Sequence, residues 1–435
     1  MFQIKATTVE GILTSLFPEA RLRHEARAAG VEKRRRKLDV VAFFWTLVLG
    51  FGVGKLRSLA ELRRTYENRT GTRIEESSFY DRFTPGLAKL LRGMVGEVLS
   101  RAAEGGSRSL TGALAGFRDL LLIDSTVIRL HDLLKGTYAG CRTNHSKAAA
   151  KLHMVMSVKD ASASKVCLSP ERTNDRTPWR KVGGWVKGCL LLFDLGYFGF
   201  RLFARIDENE GFFVSRLKEN SNPLVVAENR KWRGRSRTVV GKRLKDALVG
   251  LKREALDVMV EVAFDRRVYR GRRARDRRLF RVVGIFDTAT EQYHLYMTNV
   301  PEDRLDAAEV AETYRLRWQV ELLFKELKGR YRLDQMPSAK RHVVEALLFA
   351  AILTLVASHA LLDALRRRLP SGRSIPSLRW GAVFDAFAPI LLDLVLAAVA
   401  IRRRSYDPWL LLLSQAADPN LARPSALVGR VAYAA

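Results

Sequence analysis

The 435-residue sequence is poor in cysteine and histidine, with only three cysteines and seven histidines. Cys141, Cys167 and Cys189 are too far apart for the paired spacing of a structural zinc site. The histidines are scattered, and the sequence shows neither an HExxH motif nor a recognisable Ser-His-Asp set. We therefore expect three reduced core cysteines in a cytosolic protein, and neither zinc nor acyl-enzyme chemistry.

The N-terminus lacks the basic region, apolar stretch and cleavage site of a secretion signal, which favours a cytoplasmic location. Two apolar segments, residues 346–357 and 386–401, lack the length or uniformity of a membrane span. The first is short, and the second contains Pro389 and Asp393. We expect both segments to form buried helices.

Acidic residues are scarce relative to basic ones, with 46 Asp and Glu against 75 Lys and Arg. The formal charge of +29 favours polyanionic partners and rapid, salt-sensitive association. A genome rich in G and C also raises the arginine content, so the charge does not identify the polyanion. The length allows two or three domains, and 47% hydrophobic residues are enough for buried cores.

The most informative stretch runs from Tyr314 to Lys328 and contains no proline or glycine. It predicts one continuous helix, in which four polar residues lie on one narrow stripe at about 100° per residue. They are Tyr314, Arg317, Glu321 and Lys328. A carboxylate flanked by two cations and a phenol suits a site that binds a divalent metal and phosphates, although a charged outer face is the alternative. Glu326 points about 140° away from Glu321, and we expect it on the surface.

Two aspartates accompany short apolar runs further upstream. Asp124 follows residues 121–123, and Asp194 follows residues 190–193. Such runs predict strands buried on both faces, where an ionised carboxylate is costly unless a cation lies against it. Three carboxylates from two strands and a helix can converge on two divalent cations, and hard oxygen ligands suit Mg²⁺ or Mn²⁺. Alternatively, Asp124 lies in a turn and Asp194 caps a helix that begins near Phe198.

The Tyr-x2-Arg-x3-Glu-x6-Lys spacing resembles the signature of insertion-sequence-four family transposases, and the resemblance covers roughly residues 118–335. It implies a DDE enzyme with a ribonuclease H-like catalytic core. It also implies that Asp124, Asp194 and Glu321 are the catalytic residues and the ligands of two Mg²⁺ or Mn²⁺ ions. The four-residue helix signature is the specific part of this resemblance.

The resemblance further implies cut-and-paste transposition, with cleavage at the ends of an insertion sequence and attack of the freed 3′-hydroxyl on target DNA. A hairpin on the excised end is typical of this signature. Tyr314, Arg317 and Lys328 would then hold the non-transferred strand and its 5′ phosphate. The implied partners are double-stranded DNA, carrying the terminal inverted repeats or the target, and a second subunit in a homodimer.

The expected fold is an α/β ribonuclease H-like core, with a mixed five-stranded sheet and helices. A mostly β insertion interrupts this core, and helical N- and C-terminal regions flank it. The expected parts are a helical DNA-end-binding domain (1–117), the first part of the core (118–219), the insertion (220–300), the catalytic helix (301–340) and a helical region with contacts to a second subunit (341–435). Between the third and fourth core strands we expect a helix near residues 178–187.

The densest basic stretch, residues 266–278, predicts a β-hairpin tip that either lies along phosphates or keeps a sheet edge soluble. Its candidate DNA contacts are Arg266, Arg267, Arg270, Arg272 and Arg273. On the strand before the catalytic helix, Tyr293 or His294 is nearest to the place where some relatives hold a flipped base. A packed core aromatic is the alternative there.

Two other functions remain open. A metal-dependent nuclease on the same fold would share the three acidic residues but would not need the Tyr, Arg and Lys of the signature. A DNA-binding regulator derived from a transposase would be signalled by loss of an acidic residue, and all three are present. Asp175, in a loop after the third predicted strand, is a candidate to support the site.

Overall fold

The computed structural model describes residues 8–32, 38–50, 58–105, 108–141, 147–159, 162–179, 182–229, 238–266, 274–331, 333, 336, 338–369, 375–401 and 431–433. The helices are α1 Val9–Leu16, α2 Glu19–Ala28, α3 Val40–Leu49, α4 Leu59–Thr70, α5 Glu76–Tyr80, α6 Pro85–Gly105, α7 Phe200–Glu208, α8 Leu244–Leu248, α9 Ala307–Arg315, α10 Trp318–Gly329, α11 Arg341–Arg366 and α12 Ser377–Ala398. The strands are β1 Arg108–Leu110, β2 Asp119–Leu130, β3 Ala148–Ser157, β4 Ser162–Pro170, β5 Cys189–Phe193, β6 Phe212–Arg216, β7 Leu224–Glu228, β8 Ala255–Asp265, β9 Arg275–Asp287, β10 Gln292–Thr298 and β11 Val431–Tyr433.

A nine-stranded mixed sheet forms the centre of the protein, with the strand order β4-β3-β2-β5-β6-β10-β9-β8-β7. The β2–β5 and β5–β6 pairs are parallel, and the other pairs in this sheet are antiparallel. Every residue of β5 is buried, as its unbroken apolar sequence predicts. The short strands β1 and β11 form a separate antiparallel pair.

The prediction of a five-stranded sheet is wrong in the number of strands, whereas the predicted mostly β insertion is present. Strand β10 pairs with β6, so the four strands β7 to β10 extend the same sheet. Alternation of apolar and polar residues identifies strands, but it does not reveal which edge they join. The insertion is therefore joined to the core by backbone hydrogen bonds between β10 and β6.

The predicted helix near residues 178–187 is also wrong. In the part of this segment that the structure describes, the only helical element is a 3₁₀ turn at Gly184–Val186. The Gly183-Gly184 pair lowers helix propensity, and Trp179 packs on Trp185 with ring centroids 6.2 Å apart. After Asp194 the chain forms the helix α7 and then the strand β6.

Helices cover both faces of the sheet. One face packs on α7 and α8, in a core that contains Phe203, Phe213 and Phe280. The other face packs on α9, α10 and helices from both ends of the chain, in a larger continuous core. Because the N- and C-terminal helices share this core, they pack together and against the sheet.

The helices at Arg341–Arg366 and Arg379–Ala398 are long and apolar enough to cross a membrane by composition alone. In their most apolar windows, 89% and 67% of the residues are buried inside the protein. The core helices of soluble proteins have the same properties, so these two helices are weak evidence for a membrane span. Of the cysteines, Cys189 is buried and Cys167 half-buried, but Cys141 is exposed, which corrects the expectation of three core cysteines.

A buried ion pair ties the added strands to the chain that leads into α9. Arg281 on β9 contacts both carboxylate oxygens of Asp257 on β8, at 2.8 and 2.5 Å. The same guanidinium donates to the carbonyl oxygens of Val300 and Leu305. Both charged side chains are almost fully buried, so each depends on the other for its charge compensation.

Replacing Arg281 should therefore be strongly destabilising. We expect Arg281→Met to lower the free energy of unfolding by about 3–5 kcal/mol, because it leaves the Asp257 carboxylate buried without its cation. Urea unfolding monitored by circular dichroism measures this loss. Arg277→Met is the matched control, since Arg277 is exposed and its pair with Glu261 should contribute less than about 1 kcal/mol. Equal losses in the two variants would contradict the prediction.

Candidate active site

The two predicted aspartates lie side by side on neighbouring parallel strands. In the pairing of β2 with β5, Ile123 stands opposite Phe193, so Asp124 and Asp194 are the next residues on each strand. The strand β2 continues past Asp124 to Leu130, whereas β5 ends at Phe193. Asp194 makes no side-chain capping bond to the 3₁₀ turn that follows it. The turn and capping alternatives for these two residues are therefore wrong.

The predicted continuous helix is divided into α9 and α10 by a tight turn at Leu316 and Arg317. The amides of these two residues bond to the carbonyl oxygens of Thr313 and Tyr314, three residues back rather than four. Tyr314, at the end of α9, is anchored by its hydroxyl, which donates to the carbonyl oxygen of Phe193 at 2.9 Å. The prediction was wrong at this turn because such anchoring is a tertiary contact.

Arg317 brings the acidic residues of the strand and the helix together. Its Nη2 lies 2.7 Å from Glu321 Oε1, and its Nη1 lies 3.4 Å from Asp124 Oδ2. The guanidinium also lies over the ring of Tyr314, 6.0 Å from its centroid. Despite the turn, three members of the predicted stripe therefore lie on one side, facing Asp124.

Burial dominates the electrostatics of this cluster. It raises the pKa of Asp124 from 3.8 to about 6. The Ser125 amide and Arg317 oppose this shift, while the carboxylates of Asp194 and Glu321 add to it. Burial also raises the pKa of Tyr314 to about 12, so its phenol stays protonated as the donor to Phe193. A partly buried group of like charges is thus balanced chiefly by one arginine.

Across the ranges that the structure describes, no three His, Cys, Asp or Glu side chains form a ready metal-binding group. The donor set nevertheless fits a hard divalent cation, since Asp124, Asp194 and Glu321 provide only carboxylate oxygens. Burial chiefly raises the pKa of Asp124, and the charges of Asp194 and Glu321 add to this rise, so a cation bound beside these carboxylates would favour their ionised forms. Arg317 contacts two of these carboxylates, those of Asp124 and Glu321.

Comparison with known proteins establishes the family. Residues 115–357, more than half of the chain, match the family model described as a transposase DDE domain. The chain belongs to the DDE transposase family. The transposase for insertion sequence element IS231B of Bacillus thuringiensis subsp. berliner is 20% identical over 374 residues, which are 79% of this chain and 77% of that relative. The resemblance to insertion-sequence transposases is confirmed.

Two further similarities are more limited. The putative transposase InsL of element IS186A from Escherichia coli K12 is 40% identical over 78 residues, covering 18% of this chain and 21% of that protein. The solved piggyBac transposase synaptic complex with hairpin DNA is 11% identical and has a TM-score of 0.48, covering 95% of this chain and 85% of that one. A structural similarity this distant carries no functional conclusion.

The remaining signature residue, Lys328, lies half-buried on α10 of this DDE transposase, seven residues after Glu321. Glu326 on the same helix is fully buried, so its predicted surface position is wrong. Its carboxylate contacts the Tyr331 hydroxyl at 2.5 Å and His359 Nε2 at 3.1 Å. Helices α11 and α12 cover this side of α10, which its sequence alone did not indicate.

Three of the other predicted DNA contacts, Tyr293, His294 and Arg266, are in the part of the chain that the structure describes. The Tyr293 hydroxyl donates to the Arg253 carbonyl oxygen and accepts from the Arg253 amide, so this ring is a packed structural aromatic. His294 is exposed on β10, 3.7 Å from Asp287. Arg266 pairs with Glu208 and Asp276 at the base of the β8–β9 hairpin. The predicted contacts at Arg267, Arg270, Arg272 and Arg273 lie outside the described residues.

Sequence reasoning missed two residues beside this site of the transposase. Tyr296 on β10 packs on Tyr314, with ring centroids 5.3 Å apart, and it pairs in register with Arg216 on β6. Strand alternation could have separated Tyr296 from Tyr293, because the two face opposite sides of the sheet. The pairing with Arg216 could not have been found, since it depends on β10 joining β6.

Behind the aspartates, His153 on β3 is fully buried, with its ring nitrogens 2.8 Å from Ser169 Oγ and 3.4 Å from Tyr197 Oη. Burial lowers its pKa from 6.5 to about 4. Between pH 6.5 and pH 4 the unfolded state binds a proton at this histidine and the folded state does not. The folded state therefore loses stability as the pH falls through this interval.

We therefore expect His153 to lower the free energy of unfolding of the wild-type protein by about 2 kcal/mol between pH 7 and pH 5. His153→Gln removes the titrating group, so its free energy of unfolding should fall less over the same interval. Urea unfolding at several pH values measures both slopes. Parallel slopes for the two proteins would show that His153 does not titrate in this way.

Proposed function

We propose that this DDE transposase uses Asp124, Asp194 and Glu321 to cleave DNA at the ends of an insertion sequence. The observation that carries the proposal is the parallel β2–β5 register, which sets the two aspartates side by side, with Arg317 joining Asp124 to Glu321. A purely structural role for these carboxylates is unfavourable, because burial and the charges of Asp194 and Glu321 together raise the pKa of Asp124. Carboxylates with raised pKa values in such places are typical of functional sites.

We propose a ribonuclease H-like catalytic core for residues 118–219 together with the α10 region. Support comes from the order of the strands. Three consecutive antiparallel strands, β2 to β4, are followed by β5 and β6, which lie parallel to β2 on its other side. Asp124 is on the first of these strands and Asp194 directly follows the fourth, as the resemblance implies.

In this proposal the three carboxylates hold two divalent cations, Mg²⁺ or Mn²⁺. When bound, the cations lower the pKa of the attacking water or 3′-hydroxyl and stabilise the leaving oxygen. The protein would supply the carboxylate oxygens of Asp124 on β2, of Asp194 directly after β5 and of Glu321 on α10. The Tyr314 hydroxyl, through Phe193, sets the position of that helix relative to Asp194.

Arg317 and Lys328 are the proposed contacts to the phosphates of the non-transferred strand. A guanidinium can bind a phosphate through two parallel hydrogen bonds, whereas an ammonium acts as a point charge. Arg317 lies between the acidic residues, so it is placed to hold a phosphate directly beside the reacting centre. The net charge of +29 supports DNA as the polyanion.

The complete proposed reaction is excision through a hairpin intermediate, followed by strand transfer into target DNA. The proposed partners are the element's terminal inverted repeats, target DNA and a second copy of the chain. Residues 1–117 are the proposed end-binding region, and 341–435 the proposed region of contact between subunits. The proposed location is the cytoplasm, where the chromosome of a prokaryote is accessible.

A donor-DNA assay tests the proposal. Full-length protein and Mg²⁺ are added to linear DNA that carries the element's ends, with a plasmid as target. We expect nicking, hairpin-ended excised product and joined product. Asp124→Asn and Glu321→Gln should each reduce all three by about 10³-fold or more, and chelation by EDTA should abolish them.

Glu210→Gln is the matched control, because Glu210 is exposed and pairs with Lys187, so it should retain activity. Cleavage without joining would identify a nuclease instead. End binding without cleavage by the wild type would indicate a regulator. Full activity in Asp124→Asn would overturn the site assignment.

The phosphate contact at Lys328 has a separate signature. Lys328→Gln should weaken binding to end DNA and lower the slope of log affinity against log salt by about one, since one fewer cation is released. Fluorescence anisotropy at four salt concentrations measures the slope. Lys252→Gln is the control, because Lys252 pairs with Glu291 far from the acidic residues. Unchanged slopes in both variants would remove Lys328 from the DNA interface.

A further inference from the structure

A polar cluster lies on the reverse face of β2, behind Asp124. Asp175, in the loop after β4, accepts a hydrogen bond from Ser125 Oγ at 3.0 Å and an ion-pair contact from Lys151 Nζ at 2.9 Å. Ser125 directly follows Asp124, so the two side chains lie on opposite faces of the strand. Asp175 therefore holds β2 from the side away from Arg317.

The other oxygen of Asp175 faces the segment that follows Asp194. Asp175 Oδ2 lies 3.0 Å from the position that a Cβ atom would take on Gly196. Gly196 is the second residue after Asp194, in the 3₁₀ turn Leu195–Tyr197. Because a side chain at Gly196 would press on the carboxylate, the turn and the carboxylate are in close contact. One carboxylate thus contacts both segments that carry the aspartates.

The support for Asp175 is itself firmly held. The Lys151 side chain is 12% exposed, and its ammonium also donates to the carbonyl oxygen of Thr173 at 3.2 Å. This attaches the loop after β4 to β3 at two points. His153 on β3 is also close, with its Nδ1 4.0 Å from Asp175 Oδ1. In the β2–β3 register His153 pairs with Ser125. Such partly buried polar contacts hold a ligand-bearing segment in one position.

We propose that Asp175 is a positioning residue, which sets the separation of Asp124 and Asp194 by holding Ser125 on one side and the Gly196 turn on the other. The inference rests on the proposed function, in which these two aspartates bind divalent cations. Mutation of a residue that orients a metal ligand lowers the metal affinity by about 10–100-fold. Asp175 acts through the strand and the turn, from the reverse side of the sheet.

Binding of Mn²⁺ tests this role without relying on turnover. The full-length protein is bound to pre-cleaved end DNA whose 3′ terminus is a dideoxynucleotide, so that joining is blocked. Free Mn²⁺ is then followed by electron paramagnetic resonance. We expect Asp175→Asn to lower the Mn²⁺ affinity by about 10–100-fold. Ser125→Ala should lower it as well, and both variants should bind DNA with unchanged affinity.

Glu171→Gln is the matched control. Glu171 lies in the same loop and pairs with Arg129 at 2.8 Å, but it bonds to the Cys141 amide rather than to the aspartate segments. Its Mn²⁺ affinity should stay within about twofold of wild type. Gly196→Ala is a second probe, because it keeps every charge and pushes on Asp175. It should also weaken Mn²⁺ binding.

Each outcome has a distinct meaning. Wild-type Mn²⁺ affinity in Asp175→Asn or in both Ser125→Ala and Gly196→Ala would overturn the positioning role. Weak binding in Asp175→Asn, with wild-type binding in the other two variants, would also overturn it and would make Asp175 a direct ligand. If Asp175→Asn does not fold, Ser125→Ala and Gly196→Ala decide the matter. Unchanged Mn²⁺ binding in Asp124→Ala would instead refute the proposed catalytic site.

Discussion

The burial of carboxylates close to one another is the constraint on which the candidate active site of this structure depends. The parallel β2–β5 register places Asp124 beside Asp194, and α10 adds Glu321 on the same side. Burial and these like charges raise the pKa of Asp124 to about 6. Such a cluster persists only if the surrounding structure prevents the side chains from moving apart. Arg317 offsets part of the charge, and a divalent cation would offset more.

The helix that carries Glu321 is held from two directions. Just before its start, at the end of α9, the Tyr314 hydroxyl donates to the last carbonyl of β5, next to Asp194. On its far side, the buried Glu326 carboxylate bonds to Tyr331 and His359. Burial of this second carboxylate is tolerated because both of its oxygens have partners. The C-terminal helices thus contribute to the position of the site, although they carry none of its predicted residues.

The strands β7 to β10 also help to position the helices α9 and α10. Because β10 pairs with β6, it brings Tyr296 against Tyr314 and leads directly into α9. The buried Asp257–Arg281 pair then attaches β8 and β9 to the backbone at Val300 and Leu305. The segment that precedes the signature helix is therefore fixed by the sheet itself. An insertion that formed a separate domain would leave this segment less constrained.

Local periodicity, apolar runs and the family resemblance select Asp124, Asp194, Glu321 and Arg317 as candidates from the sequence, and the structure brings Arg317 into contact with Asp124 and Glu321. Periodicity and apolar runs were also sufficient for most helices and strands of the core. In the described part of residues 178–187, the Gly183-Gly184 pair and the packing of Trp179 on Trp185 accompany a 3₁₀ turn instead of the predicted helix. The turn at Leu316 and the burial of Glu326 were decided by packing against distant segments. The nine-strand order and the contacts of Asp175 were decided in the same way. Their energies arise between residues far apart in the chain, and a single sequence does not display which distant residues meet.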